Sequence, residues 1–405
     1  MKTKATKRKK DETTKDMQSW NGKKGQITAT TRRGMMQVLV VVALSVSMVA
    51  MNVAYGLSPS AKSTSSVSAL YVLGDSSVDC GDNTLLYPLI RHNLSLHPCN
   101  GSDTTLLPHL LAEKMGLPQT QPFYSQNGSL EGLLSGLNFG SAQATIMNLG
   151  GQRHQSLNQQ LRQVFETFQL LQLQLSQDNA HHFIKSSIFY LSLGKDDYID
   201  LFLRNASGIM LKYSGQEFAR MLVNQMMNVM RNLYGAGVRR IICMGVLPLG
   251  CAPRTVWEWR NSTAGDDVGR VDCVGEINEL IVAYNTMLEE HVVELKTELP
   301  DAQIVFCDVY QGIMEIINNP KHYGFKDVKT ACCGLGWFGG MIGCLSIEMA
   351  CEQASTHVWW DFYNPTHAVN SLLADSAWSG HPLPNICRPT TIRELTYPLT
   401  AHLGM

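Results

Sequence analysis

The chain has 405 residues and a formal net charge of −1 at pH 7, and is 44% apolar and 17% charged. That balance belongs to a globular protein with a substantial core and excludes a disordered, fibrous or multi-span membrane protein. The charge is unevenly spread: residues 1–34 hold 11 Lys/Arg against 3 Asp/Glu, an excess of +8, and subtracting it from −1 leaves −9 on the remainder.

By charge alone the first 34 residues resemble a nucleic-acid-binding arm, but the next segment redirects the reading. Residues 38–50, VLVVVALSVSMVA, are almost unbroken apolar, preceded by Arg32 and Arg33 and followed by the small Ala54 and Gly56. A basic flank, an apolar run and small residues at a cleavage point describe a secretory signal peptide, cut after Gly56. The alternative is an uncleaved signal anchor, with residues 35–57 as a membrane tether, the basic side cytoplasmic and the body lumenal. The first sends the body to the cell exterior or wall, the second to the endomembrane lumen. No nucleic-acid partner is expected. Residues 1–56 are assigned to targeting, 57–68 to a Ser-rich linker, 69–387 to the folded domain and 388–405 to a tail.

The domain opens with residues 69–73, ALYVL, an apolar run ended by Gly74 and Asp75, which reads as a buried strand and turn. Residues 105–115 place Leu106, Leu107, Leu110, Leu111 and Met115 on one helical side, and 157–175 form a long amphipathic helix. Residues 187–193 are a β-prone run stopped at Gly194. A helix over 218–234 is stopped by Gly235 and Gly237, and a buried strand over 238–246 follows. Then come a helix over 277–299, a strand over 303–307, a helix over 310–317 and a last helix over about 366–378. Strands apolar throughout, alternating with helices, predict an α/β fold whose parallel sheet is covered on both faces. There is no internal repeat and no second domain. Sites in such sheets form beyond the carboxyl ends of the strands, where Gly74-Asp75-Ser76 and Gly194-Lys195-Asp196 both fall.

Eleven cysteines, none in the first 79 residues and six between Cys307 and Cys387, read as structural disulfides with one thiol left over. The adjacent Cys332 and Cys333 lack the spacing of a zinc site, and counting does not give the pairing. Five sequons, at Asn93, Asn100, Asn127, Asn205 and Asn261, fit a secretory route. Gly339, Gly340 and Gly343 have no following Lys-Ser/Thr, so they form no phosphate loop; that stretch reads as a surface loop tied by Cys333 and Cys344.

Ser76 is the residue with chemistry to offer. A serine on a tight turn above a sheet is a nucleophile if a base reaches its hydroxyl, and the turn's N–H groups can receive an oxyanion. Read alone it is an ordinary helix cap. Asp75 and Asp79 have neither a third acid nor a histidine beside them, so they read as turn-stabilising acceptors and no metal or cofactor is expected. The His181-His182 pair has no ligand spacing and reads as surface or loop.

The segment 73–83, LGDSSVDCGDN, resembles the first block of the plant GDSL esterases/lipases, G-D-S-x-x-D-x-G-N-N, departing from it at Asp82. Further blocks follow in order: 138–146 NFGSAQATI, 194–198 GKDDY, 247–251 LPLGC, 319–325 NPKHYGF, 331–334 ACCG and 360–366 WDFYNPT. The resemblance spans some 300 residues and implies a three-layer α/β/α sandwich of the SGNH hydrolase type. It also implies hydrolysis of carboxylic esters of lipids or wall polysaccharides by a serine, a histidine that takes its proton, and an aspartate that orients the ring.

Carried over by position, the nucleophile is Ser76 and the orienting acid Asp361. The histidine position holds Asn364, whose amide has no useful basicity. The oxyanion donors implied are the Ser76 N–H, the N–H of Ala142 at a glycine position, and Asp196 at an asparagine position. An ionised Asp196 repels an oxyanion; a protonated one donates a hydrogen bond, and the neighbouring Asp197 favours that state. His367, one turn beyond Asn364, is the remaining imidazole that can stand in as base. A turn is about 5.4 Å against the 2.6–3.2 Å of an active-site hydrogen bond, so an exposed first-turn residue is the plainer reading. Two functions stay open: an ester hydrolase with weak or altered catalysis, or a catalytically inactive protein of the same fold that binds a lipid or glycan.

Overall fold

The computed structural model describes residues 67–79, 106–147, 155–204, 208–262, 273–345 and 347–397. The targeting run, most of the linker, the sequons at Asn93, Asn100 and Asn205, the side chain of Asn261, and Cys80 and Cys99 lie outside them.

The elements run in the order β1 (Leu70–Gly74), α1 (Leu107–Met115), β2 (Gln121–Pro122), α2 (Leu130–Leu134), β3 (Leu137–Asn138), α3 (Leu157–Gln174), α4 (Gln177–Ser186) and β4 (Ile188–Ser192). A π-helical segment, Asp197–Leu203, leads to α5 (Gly215–Gly235), β5 (Arg240–Met244), α6 (Pro253–Ser262), α7 (Gly275–Glu298), β6 (Gln303–Cys307) and α8 (Val309–Asn318). The chain then forms β7 (Asp327–Ala331), β8 (His357–Trp359), α9 (His367–Ser379), β9 (Cys387–Arg388) and α10 (Ile392–Leu395).

Seven strands make one sheet in the order β2-β3-β1-β4-β5-β6-β9, parallel except where β9 runs antiparallel to β6. β1, β4 and β5 are buried at every residue, which is why they are apolar throughout. Helices α5 and α7 pack on each other, as do α1 and α9, and the sheet lies within this helical cover as a three-layer α/β/α sandwich. Serine caps set the starts of two long helices: Ser156 with Gln159 on α3 and Ser214 with Glu217 on α5 both form reciprocal capping boxes. The α5 helix ends at Gly235, with Gly237 following at φ +100°.

Two boundaries differ from those expected. Val67 is buried and the Ser68 N–H donates to the Ser186 carbonyl, so the end of the Ser-rich stretch belongs to the fold. Residues 388–397, expected as a tail, are built into it: β9 pairs with β6, Ile392 and Leu395 are buried, and Arg240 binds the Tyr397 carbonyl at 2.9 Å. The Cys307–Cys387 disulfide fastens that end to β6. The other pairs among the described residues are Cys251–Cys273, Cys332–Cys351 and Cys333–Cys344, and Cys243 is a buried free thiol on β5. His181 and His182 are exposed on α4, a helix the sequence pattern does not announce.

Candidate active site

Register brings the two strand-end turns together. β1 and β4 pair so that Gly74 lies beside Ser192, and the chain leaves both strands on the same edge of the sheet. Gly74 is needed for the tight exit from β1, because a Cβ there would meet Val78 at 2.2 Å and the Ser192 carbonyl at 2.8 Å. The Gln160 side chain clamps both polar groups of Gly74, at 2.9 and 2.8 Å. At the exit from β4, Gly194 takes φ +112°, a left-handed backbone that favours glycine.

Asp75 ties the two turns. Its Oδ1 accepts the Ser77 N–H at 2.9 Å and its Oδ2 the Asp196 N–H at 3.3 Å. Asp79 reaches the third loop, its Oδ2 accepting the Ala142 N–H at 2.8 Å. Both acids therefore act as acceptors that position backbone.

The Ser76 hydroxyl donates to Asp196 Oδ1 at 2.5 Å. The other oxygen of that carboxylate accepts the Ser76 N–H at 2.9 Å and the Gln143 N–H at 2.8 Å. Two converging N–H groups beside a serine oxygen are the geometry of an oxyanion hole, and here a carboxylate oxygen sits between them. Ala142, named from the sequence as a donor to this hole, has its N–H on Asp79 instead. The donor that meets Asp196 is Gln143, which sequence reasoning missed. Gln143 holds φ +64°, a left-handed conformation costly for a non-glycine residue.

Asp361 and Asn364 meet as the 360–366 block suggests. Asp361 Oδ1 accepts the N–H groups of Tyr363 at 3.0 Å and Asn364 at 2.8 Å, and its Oδ2 accepts the Asn364 amide at 3.0 Å. The Asn364 carbonyl oxygen takes a hydrogen bond from Lys195 Nζ at 2.8 Å. An acid–amide–ammonium relay thus stands where the resemblance implies an acid–histidine–serine relay. Lys195 is a further residue the sequence did not mark, being buried where lysine is usually exposed.

His367 does not join this cluster. It begins α9 just after the Thr366 cap, its Nε2 lies 3.3 Å from the Ser371 hydroxyl, and its Nδ1 is buried without a partner. Among the described residues the Ser76 hydroxyl donates to Asp196 and to no imidazole.

Among the described residues four buried carboxyls, Asp75, Asp196, Asp197 and Asp361, share this region with one buried ammonium, Lys195. Burial pushes Asp75 up to about 6, with Asp196 adding to the rise and Lys195 opposing it. Burial pushes Asp197 up to about 8, against the N–H donors of Ile146 and Met147 that favour its charged form. Asp361 is raised by burial and pulled back chiefly by its bond from Asn364. Beside the cluster is a cavity of about 60 Å³ with Lys195, Asn364 and Ser77 on its polar side and Val246, Ile313 and Leu373 on its apolar side; Ser76 is not in its lining. Among the described residues no group of three or more His, Cys, Asp or Glu side chains is placed to hold a metal ion.

A parallel α/β/α sheet with a serine on the turn after its first strand, backbone donors beside the serine oxygen and an acid from the last loop defines a protein of the serine-hydrolase class. Residues 70–377 match the model of the GDSL-like Lipase/Acylhydrolase family, and the chain belongs to that family. It is 32% identical to GDSL esterase/lipase At1g71250 of Arabidopsis thaliana, over 82% of this chain and 89% of the relative. It is similar also to two other Arabidopsis thaliana proteins. These are GDSL esterase/lipase At5g37690, at 27% over 78% and 90% of the two chains, and GDSL esterase/lipase 7, at 29% over 81% and 91%.

Proposed function

We propose that this chain recognises carboxylic esters of lipids or wall polysaccharides in the secretory pathway and hydrolyses them weakly, its serine site being held shut by its own carboxylate. The observation that carries the reading is Asp196, which takes the Ser76 O–H, the Ser76 N–H and the Gln143 N–H together. A tetrahedral oxyanion needs those N–H groups, and a carboxyl oxygen in their midst already occupies its place. A carboxylate is also a far weaker base than imidazole, so the hydroxyl is held without being activated. The secretory assignment is supported by the apolar run at 38–50 after a basic flank and by four disulfides, which persist in oxidising compartments.

The test is a restoring variant assayed on p-nitrophenyl acetate and butyrate. Asp196→Asn with Asn364→His supplies a neutral donor and an imidazole beside Asp361, and hydrolysis is expected to rise by orders of magnitude. No rise sinks the reading that these two side chains are what limits turnover. The same plug favours a second reading, a binding protein with no turnover at all. Residual wild-type hydrolysis that disappears in Ser76→Ala separates the enzyme from the binder.

A further inference from the structure

We propose that the disulfide-closed loop Cys333–Cys344 is a lipid-binding site that docks the folded body on an uncharged or zwitterionic lipid surface. The loop is a stapled hairpin. Cys333 bonds Cys344, Leu335 and Ile342 exchange backbone hydrogen bonds at 2.9 and 3.2 Å, and a 3-10 turn at Trp337–Gly339 makes the tip. From this frame Trp337 is 58% exposed, Met341 50% and Leu335 49%, with Ile342 and the following Leu345 also exposed. Large apolar side chains in water normally collapse onto a core; these are kept out by a covalent ring and by a second disulfide, Cys332–Cys351, at its base.

Charge selects the occupant. Residues 331–347 contain no Asp, Glu, Lys, Arg or His. A protein-binding patch normally carries a polar rim of direct hydrogen bonds, and an anionic membrane is recognised through clustered Lys or Arg. Within the loop itself there is neither, and Arg254, the cation against it among the described residues, is already paired with Glu258. An exposed tryptophan at the tip of an uncharged apolar loop matches a lipid–water interface, where the indole sits at headgroup depth and neighbouring aliphatic side chains enter the acyl region.

The loop is anchored on the 360–362 segment, which also carries Asp361 of the candidate active site. Cys333 N–H bonds the Trp360 carbonyl at 2.6 Å, next to Asp361. A Cβ on Gly343 would meet the Phe362 ring at 3.2 Å. Arg254 donates to the carbonyls of Gly340 and Met341 at 3.3 and 3.1 Å while its guanidinium lies over the Phe362 ring. The inference does not depend on whether Ser76 turns ester over, because it concerns where the body sits and not what its hydroxyl does.

The experiment uses the full chain with vesicles of phosphatidylcholine brominated on the acyl chains, comparing wild type with Trp337→Phe, so that any binding through residues 38–50 is common to both. The expected result is quenching of part of the tryptophan emission in wild type that is lost in Trp337→Phe. A second variant, Met341→Glu with Ile342→Glu, is expected to weaken vesicle binding about tenfold or more, from the loss of two buried aliphatic side chains. Quenching unaltered by Trp337→Phe, or no vesicle binding, overturns the proposal. So does a concentration-dependent dimer in which Trp337 is shielded without lipid, which would assign the loop to a second copy of the chain.

Discussion

Ser76 Oγ lies 2.5 Å from Asp196 Oδ1, and the same carboxylate fills the space between the N–H groups of Ser76 and Gln143. One side chain thereby stands in for a base it is too weak to be and blocks the anion site a hydrolase needs. Asp196→Asn puts an amide donor in the carboxyl's place. Labelling of Ser76 by a fluorophosphonate, which passes through the same oxyanion, is expected to rise about 10²-fold, within the range for one hole donor. Adding Asn364→His is expected to raise it by a further factor of about 10²–10⁴. Mass spectrometry of the labelled peptide checks both.

His367→Ala is expected to leave any Ser76 labelling within about twofold of wild type, since a group outside hydrogen-bond reach contributes no proton transfer. The ring's one observed polar contact is Ser371, one turn along the same helix, and no atom of it bonds Ser76. A tenfold fall in labelling with unchanged thermal stability would show that the ring moves into the site during reaction.

Lys195→Met is expected to destabilise the fold by about 1–3 kcal/mol, the usual consequence of leaving a buried acceptor, here the Asn364 side-chain oxygen, without its donor. The ammonium binds the Asn364 carbonyl oxygen and opposes the burial-driven rise of both Asp75 and Asp361. Without it both carboxyls ionise at greater cost or take up protons. The loss, read as the fall in urea midpoint, should be larger at pH 8 than at pH 5, because low pH supplies the protons.

What the sequence discloses of this arrangement follows from how local each feature is. The exits from β1 and β4 are legible because an apolar run ends at a glycine in both, and the pattern of buried strands already implies a parallel sheet. Asp361 next to Asn364 is legible because three residues of chain hold them together. The lodging of Asp196 is not, since it depends on Gly74 and Ser192 pairing across the sheet. Gln143 gives no signal at all: its N–H points at Asp196 because of a left-handed φ that a lone glutamine does not advertise. Strands β2, β3 and β9 are two residues long and carry no periodicity. Helix α4 buries only Ala180 and Ile184, so its apolar stripe is too thin to read. The place of Cys387 beside Cys307, which turns an expected tail into part of the fold, cannot come from counting cysteines.

Asp197 sets a pH dependence whose sign can be worked out. Burial raises its carboxyl from 3.8 to about 8, so between those values the folded chain keeps a proton that the unfolded chain has lost. Stability from this group is complete below about pH 4, falls as pH rises, and levels off above about 8. Asp75, raised to about 6, adds to the same slope in the lower part of the window. Asp197→Asn is neutral at every pH and removes the larger contribution. It also leaves one of the N–H groups of Ile146 and Met147 facing an amide donor, a pH-independent cost of about 1–3 kcal/mol. Urea titrations from pH 5 to pH 9 should therefore show the variant less stable than wild type at pH 5 and closing that gap by a few kcal/mol toward pH 9. Parallel curves for the two proteins would mean that Asp197 is already ionised at pH 5, held charged by its two backbone donors.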